Sequence, residues 1–253
     1  MNTAEAVKLL KKVCAGYEFA PLAIYKADGN HGWPFVANNE AELATKLAEG
    51  DHFLPLPKEP AALANIVEVA VVDHVIEQLA SSDVELTRGT ERGYPDLEMK
   101  VGDSYFAIDV KVARRNLNRK GLPTGRTDSR ITLYTGNTFF MYPTLKWPGT
   151  FRPFANYSGH IDLICIYTLN PYTAGRVDDF ELIIAEPWTI ASKSRSSTTR
   201  EYLGAVDDIQ RLREGKGEFN SPEEFYAFWR KHPWKIGKAV QQQLQKLIAS
   251  VTP

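Results

Sequence analysis

Cysteine is almost missing from the 253-residue sequence, which holds only Cys14 and Cys165. Two thiols make no disulfide framework, and these lack metal-ligand spacing, so both read as small buried hydrophobes. Long apolar runs are missing too. The longest, Ile161-Asp162-Leu163-Ile164-Cys165-Ile166-Tyr167, is far too short to span a bilayer. The opening residues, Met1 to Val7, show neither a basic stretch nor an apolar one, so no secretory signal is read and a cytoplasmic protein is expected. No charge sign dominates, with 30 Lys and Arg against 31 Asp and Glu, which argues against a simple electrostatic nucleic-acid binder. A phosphate-cradling glycine loop, a nucleophile elbow and a zinc-type His/Cys cluster are absent, and the histidines (31, 52, 74, 160, 232) are scattered. These absences argue against a metabolic enzyme built on any of those motifs.

What is present is ordinary globular material, 43% hydrophobic and 24% charged, without repeat, low-complexity tract or linker. One domain over residues 1–253 is expected, an α/β fold in which helices flank a mixed central sheet. Helical spacing marks 3–15, 61–80, 201–213, 221–231 and 237–250, the fourth opening on the capping box Ser221-Pro222-Glu223-Glu224. His74 falls on the apolar face of the second and reads as structural. Two short extended pieces are expected in 18–36 around the turn Asp28-Gly29-Asn30, with further strands at 83–88, 94–101, 104–113, 160–169 and 180–186. The near-zero net charge hides a segregation: residues 1–100 carry 9 basic and 16 acidic side chains, and residues 101–253 carry 21 and 15. Between Lys111 and Arg130 lie seven basic residues and one acid, Asp128, the local cationic strip that phosphate contacts need.

The chemistry concentrates between Tyr94 and Lys111. Gly102-Asp103 is a two-residue hairpin turn, so Val101 pairs with Ser104 and Asp96 faces Asp109. Period-2 alternation puts Asp96, Glu98, Lys100, Tyr105, Ala107, Asp109 and Lys111 on one face, and Leu97, Met99, Phe106, Ile108, Val110 and Val112 on an apolar one. Carboxylates directly opposite each other, with Cβ atoms about 5 Å apart, repel. A hard divalent cation offsets that repulsion and keeps positions open for water and phosphate. Lys111 points to the same place, where it would orient or deprotonate a water. The alternative is a solvated hairpin face on which Asp109 and Lys111 merely pair. Against it, Asp109 lies between Phe106-Ala107-Ile108 and Val110, a central-strand setting where an unpaired charge is costly.

At these residues the sequence resembles the PD-(D/E)xK nuclease superfamily, whose bipartite motif matches Pro95-Asp96 and Asp109-Val110-Lys111. It resembles the EcoRV-type restriction endonucleases in particular. Tyr94-Pro95-Asp96 and Ala107-Ile108-Asp109-Val110-Lys111 look like that family's catalytic hairpin. Pro153 to Tyr157, running into Leu163 to Thr168, looks like its central region. Trp188 to Ile190, Thr198-Thr199, Glu214 to Gly217, Glu223 to Phe225 and Phe228 to Arg230 look like its C-terminal part. The similarity is collinear over about residues 18–232.

The resemblance implies a restriction-endonuclease-like fold and a type II enzyme. Such an enzyme cuts duplex DNA at a palindromic site with Mg2+, for which Mn2+ substitutes, and leaves 5′-phosphate and 3′-hydroxyl ends. Asp96 and Asp109 would be metal ligands and Lys111 the catalytic lysine. Glu68 matches the family's additional acidic residue, with Glu98 a competitor for that place. Two loops would read DNA: 88–93, with Thr90, Glu91 and Arg92, at the minor groove, and 192–199 after a Trp188 strand, at the major groove. The second carries Lys193, Arg195, Ser196, Ser197, Thr198 and Thr199 where the family's best-known member has glycines and an asparagine, so another recognition sequence is expected. Within the basic strip, Arg114, Arg115 and Arg119 are the candidates for phosphate clamping. A homodimer is implied, with 18–60 as dimerisation lobe and 61–253 as the catalytic and DNA-recognition part, and with a cognate DNA methyltransferase as a partner in the same system. The rival readings are a repair or recombination nuclease of the same superfamily and a non-catalytic DNA-binding protein of the same fold.

Overall fold

The computed structural model describes residues 1–19, 27–28, 38–48, 51–52, 56, 58–90, 93–135, 140–173, 176–194, 202–232 and 237–251. The N-terminal part holds α1 (Thr3–Val13), β1 (Ala27–Asp28), α2 (Glu40–Ala48), β2 (Asp51–His52) and α3 (Pro60–Leu79). Next come β3 (Glu85–Arg88), β4 (Leu97–Val101), β5 (Ser104–Leu117), β6 (Pro123–Ile131), β7 (Tyr134–Thr135), β8 (Gly159–Leu169) and β9 (Val177–Ala185). The C-terminal part is α4 (Pro187–Ile190), β10 (Tyr202–Leu203), β11 (Val206–Asp208), α5 (Ile209–Glu214), α6 (Pro222–Arg230) and α7 (Lys238–Val251).

Seven strands form the main sheet, and β5 is its spine. Its first residues pair antiparallel with β4, the stretch Phe106 to Arg114 pairs parallel with β8, β9 extends the sheet beyond β8, and the far end of β5 pairs with β6. The β4–β5 register is the one the turn demands, from Leu97 opposite Ile108 to Val101 opposite Ser104. Gly102 takes φ +57°, a left-handed conformation that glycine enters without a Cβ clash.

Both faces of the sheet are covered. On one, Leu97, Met99, Phe106, Ile108 and Val110 join Ile161, Leu163 and Cys165 under α1 and α3. Asn2 and Glu5 cap α1 reciprocally, while Glu59 caps α3, accepting from the amides of Ala61 and Ala62 ahead of a buried row from Leu63 to Leu79. The other face is a second core rather than a solvated one: Ala107, Ala113, Ile164 and Ile166 pack with Ile190, Ile209, Leu212, Phe225 and Trp229 from α4, α5 and α6. Cys14 and Cys165 are buried and unpaired with each other, as expected, and His74 bonds the Val13 carbonyl at 3.1 Å, a structural role.

Several expectations need correction. The stretch read as a helix at 201–213 contains β10 and β11 before α5 begins, because Gly204 turns at φ +70° and Asp208 caps α5 through the Arg211 amide. Trp188 sits in the short helix α4, not in a strand. Ser221 caps α6, but Glu224 reaches back to the Asn220 amide at 2.8 Å, one residue before the one a capping box would use. Asp28 pairs with Asp51 in the β1–β2 ladder, while Gly29, Asn30 and most of the expected 18–36 pair lie outside the described residues. Among the described residues no helix is long and apolar enough to cross a membrane.

Candidate active site

The hairpin register carries Asp96, one residue ahead of β4, to the position opposite Asp109 on β5. Asp96 Oδ2 accepts a hydrogen bond from the Val110 amide at 2.6 Å, which locks the carboxyl against the strand. Burial, then the charge of Asp109 and a hydrogen bond shared with it, push the Asp96 carboxyl well above the usual carboxylate range. A divalent cation held between the facing carboxyls would relieve their repulsion.

Lys111, two residues along β5, donates its ammonium to Asp109 Oδ2. Burial alone would lower the Lys111 ammonium, but the charges of Asp109, Asp162 and Asp96 outweigh burial and hold it above its ordinary range. Asp162 is a residue that sequence reasoning passed over. It lies on β8 as the direct parallel partner of Asp109 and is only 1% exposed. Its signal was legible in retrospect: a lone acid inside a run otherwise apolar enough for a buried central strand.

Glu68 and Glu98 differ in their surroundings. Glu68, on α3, lines a cleft of about 600 Å³ with Asn65, Arg88, Gly89, Thr90 and Asp96. Burial, then the charge of Asp109, raises its carboxyl. Glu98 is saturated: Arg152 donates Nε and a terminal nitrogen to its two oxygens at 2.7 and 2.8 Å, and the same guanidinium lies 3.4 Å from the Tyr105 ring centroid. The cleft depends on Gly89, whose amide donates to the Asp96 carbonyl at 2.7 Å; a Cβ there would meet the Pro95 carbonyl oxygen at 2.1 Å. Behind the hairpin the Tyr94 hydroxyl and His160 Nδ1 are 2.6 Å apart, and Phe154 stacks on the imidazole with centroids at 3.8 Å. A slightly larger hollow, about 690 Å³, lies between α1, β9 and α5, away from these carboxylates.

The residues expected to meet DNA are distributed unevenly. Thr90 opens into the cleft; Glu91 and Arg92 lie outside the described residues, as do Arg195, Ser196, Ser197, Thr198 and Thr199. Lys193 is described, with its ammonium 3.6 Å from Glu224. The cationic strip forms the β5–β6 hairpin, and part of its charge is answered locally. Arg114 pairs with Asp128, Arg126 lies 3.3 Å from Asp207, and Arg115 joins Arg213 on Glu181. Arg119 and Lys120 sit exposed at the hairpin tip.

Among the described residues no three Asp, Glu, His or Cys side chains converge closely enough to make a ready metal cage. What the site offers is a facing carboxyl pair with a third acid across the cleft. That set suits Mg2+, which takes one or two carboxylates and completes its shell with water and substrate phosphate oxygens. No curated protein matches the chain. The family model described as restriction endonuclease EcoRV matches residues 30–251. That span takes in the carboxyl pair, Lys111, the cleft and the second core, and so the chain belongs to the EcoRV restriction endonuclease family.

Proposed function

We propose that the protein is a type II restriction endonuclease that hydrolyses duplex DNA at a palindromic site, as a homodimer with one active site per subunit. The observation that carries this reading is the meeting of Asp96 and Asp109 across the hairpin with Lys111 beside them, in a chain of this family. Asp96 and Asp109 would hold Mg2+, or Mn2+ in its place, with Glu68 serving it through water or as a further ligand. When bound, the cation supplies positive charge to the phosphate as negative charge builds on its oxygens.

The chain's own residues do the rest. Lys111, beside Asp109, would orient the attacking water and donate hydrogen bonds to the phosphate. The water's oxygen bonds to phosphorus, its proton passes to solvent, and the bond from phosphorus to the 3′ oxygen breaks, leaving a 5′-phosphate and, after protonation, a 3′-hydroxyl. Thr90 in the cleft, Arg119 at the hairpin tip and Arg114 within β5 are the proposed contacts to DNA, together with Lys193 and the loop that follows it. Arg115 is better explained as structural, since Glu181 engages it and its side chain is 10% exposed.

Incubating the purified protein with a long duplex of known sequence, with Mg2+ and with EDTA, and sequencing the fragment ends tests this reading. Discrete Mg2+-dependent fragments sharing one palindrome are the expected result. Random nicking would replace it with a repair-type nuclease. Binding without cutting would point to a non-catalytic member of the fold.

A further inference from the structure

Asp162 is the only acid in β8, and its carboxyl is almost fully buried. Its Oδ2 atom has no hydrogen-bond partner among the described residues. Parallel pairing sets Asp162 beside Asp109, on the sheet face that Lys111 shares. A carboxylate so placed is costly unless a proton or a cation satisfies it. Burial raises the Asp162 carboxyl, and the neighbouring cation that draws it back down is Lys111, whose ammonium donates to Asp109 Oδ2. A divalent ion held at Asp109 would compete with the ammonium for that carboxylate, and an ammonium displaced from it keeps three N–H donors to satisfy.

We propose that Asp162 is the second acceptor for the Lys111 ammonium, taking it up when a cation claims Asp109 and so holding the lysine beside the reacting phosphate. This rests on the nuclease reading above. Asp162 is a positioning residue, acting through Lys111 rather than touching substrate. Two positions for one ammonium explain why an acid stands in the middle of an apolar strand next to the catalytic hairpin.

The test is Mn2+ binding to the DNA-free protein by titration calorimetry, across a cycle of unaltered protein, Asp162→Asn, Lys111→Met and the double variant. Without Asp162 the lysine stays on Asp109 and competes with the ion. Asp162→Asn should therefore weaken Mn2+ about tenfold, in the range seen when a ligand's supporting contact is lost. In the Lys111→Met background the same change should have almost no effect. Equal weakening in both backgrounds would mean that Asp162 acts only through its charge on the ion, and no weakening in either would mean that it does not act at all; each overturns the proposal. Should Asp162→Asn not fold, the carboxyl carbon resonance of Asp162 serves instead. It should move when Mg2+ is added to the unaltered protein and stay still in Lys111→Met, and a resonance unmoved in the unaltered protein overturns the proposal. Unaltered protein that neither binds Mn2+ nor cuts DNA removes the nuclease reading itself, an outcome distinct from all of these.

Discussion

Glu68 and Glu98 both compete for the place of third carboxylate on sequence grounds, and their neighbours separate them. Arg152 occupies both oxygens of Glu98, whereas Glu68 faces the cleft beside Asp96. Glu68→Gln should slow Mg2+-dependent cleavage roughly 10–100-fold, as losses around a metal site do, with little change in stability. Glu98→Gln should leave the rate near that of the unaltered protein and lower stability by about 1–3 kcal/mol, because Arg152 loses its charged partner. Single-turnover cleavage and urea unfolding of both variants check this, and the reverse pattern would make Glu98 the functional acid. His160 offers a separate check on the core behind the hairpin. Burial pushes its imidazole down to about 3, below its ordinary value of 6.5. A ring kept neutral by the fold contributes stability that is complete above pH 6.5 and drains away as pH falls toward 3, at about 1.4 kcal/mol per pH unit. Urea unfolding between pH 7 and 5 should therefore show a gentler loss for His160→Gln than for the unaltered protein. Equal slopes would assign the acid sensitivity to other groups. At this scale Asp96, Asp109 and Lys111 were readable because a turn and a period of two place them. Arg152 was not, since nothing local links it to Glu98, 54 residues away.

At the scale of elements, the hairpin was legible and its continuation was not. The Gly102-Asp103 turn sets the β4–β5 register, and the β5 core residues declare themselves by alternation. By contrast, seven of the nine residues of β6 are exposed, so the strand carries no hydrophobic period and owes its form to pairing with β5 and β11. Its charge was legible as composition, but not the ion pairs it would form. Those pairs divide the arginines into two kinds. Arg119→Ala should weaken DNA binding evenly across sequences and lower the slope of log affinity against log salt by about one, the signature of a phosphate contact. Arg115→Ala should instead lower stability, by leaving Glu181 with only Arg213. Binding measured across a salt series, together with thermal unfolding, separates the two. A lost salt slope in Arg115→Ala would return that residue to the DNA surface. The misplaced helix at 201–213 has a local cause, since Gly204 interrupts an apolar spacing that otherwise mimics a helical face.

For the whole molecule, the two cores explain why a hairpin read as having one polar face holds so much chemistry in a small space. With α1 and α3 on one side and α4 to α6 on the other, Asp96, Asp109, Asp162 and Lys111 are enclosed where charges interact strongly, and Glu68 reaches the same cleft from α3. The mixed sheet flanked by helices was legible from the order of elements; the covering of both faces was not, because the aromatic residues that close the second core are scattered from Tyr94 to Trp229. The proposed lobe at 18–60 is described only in part and stands as a proposal for dimerisation. The claim that unites these scales is that the facing carboxyl pair is the engine of DNA cleavage. Asp109→Ala tests it most directly, with cleavage followed in Mg2+ and DNA affinity measured in Ca2+. Cleavage should vanish while the variant still binds the same sequence. Cleavage at the rate of the unaltered protein would contradict it and move the chemistry away from this hairpin.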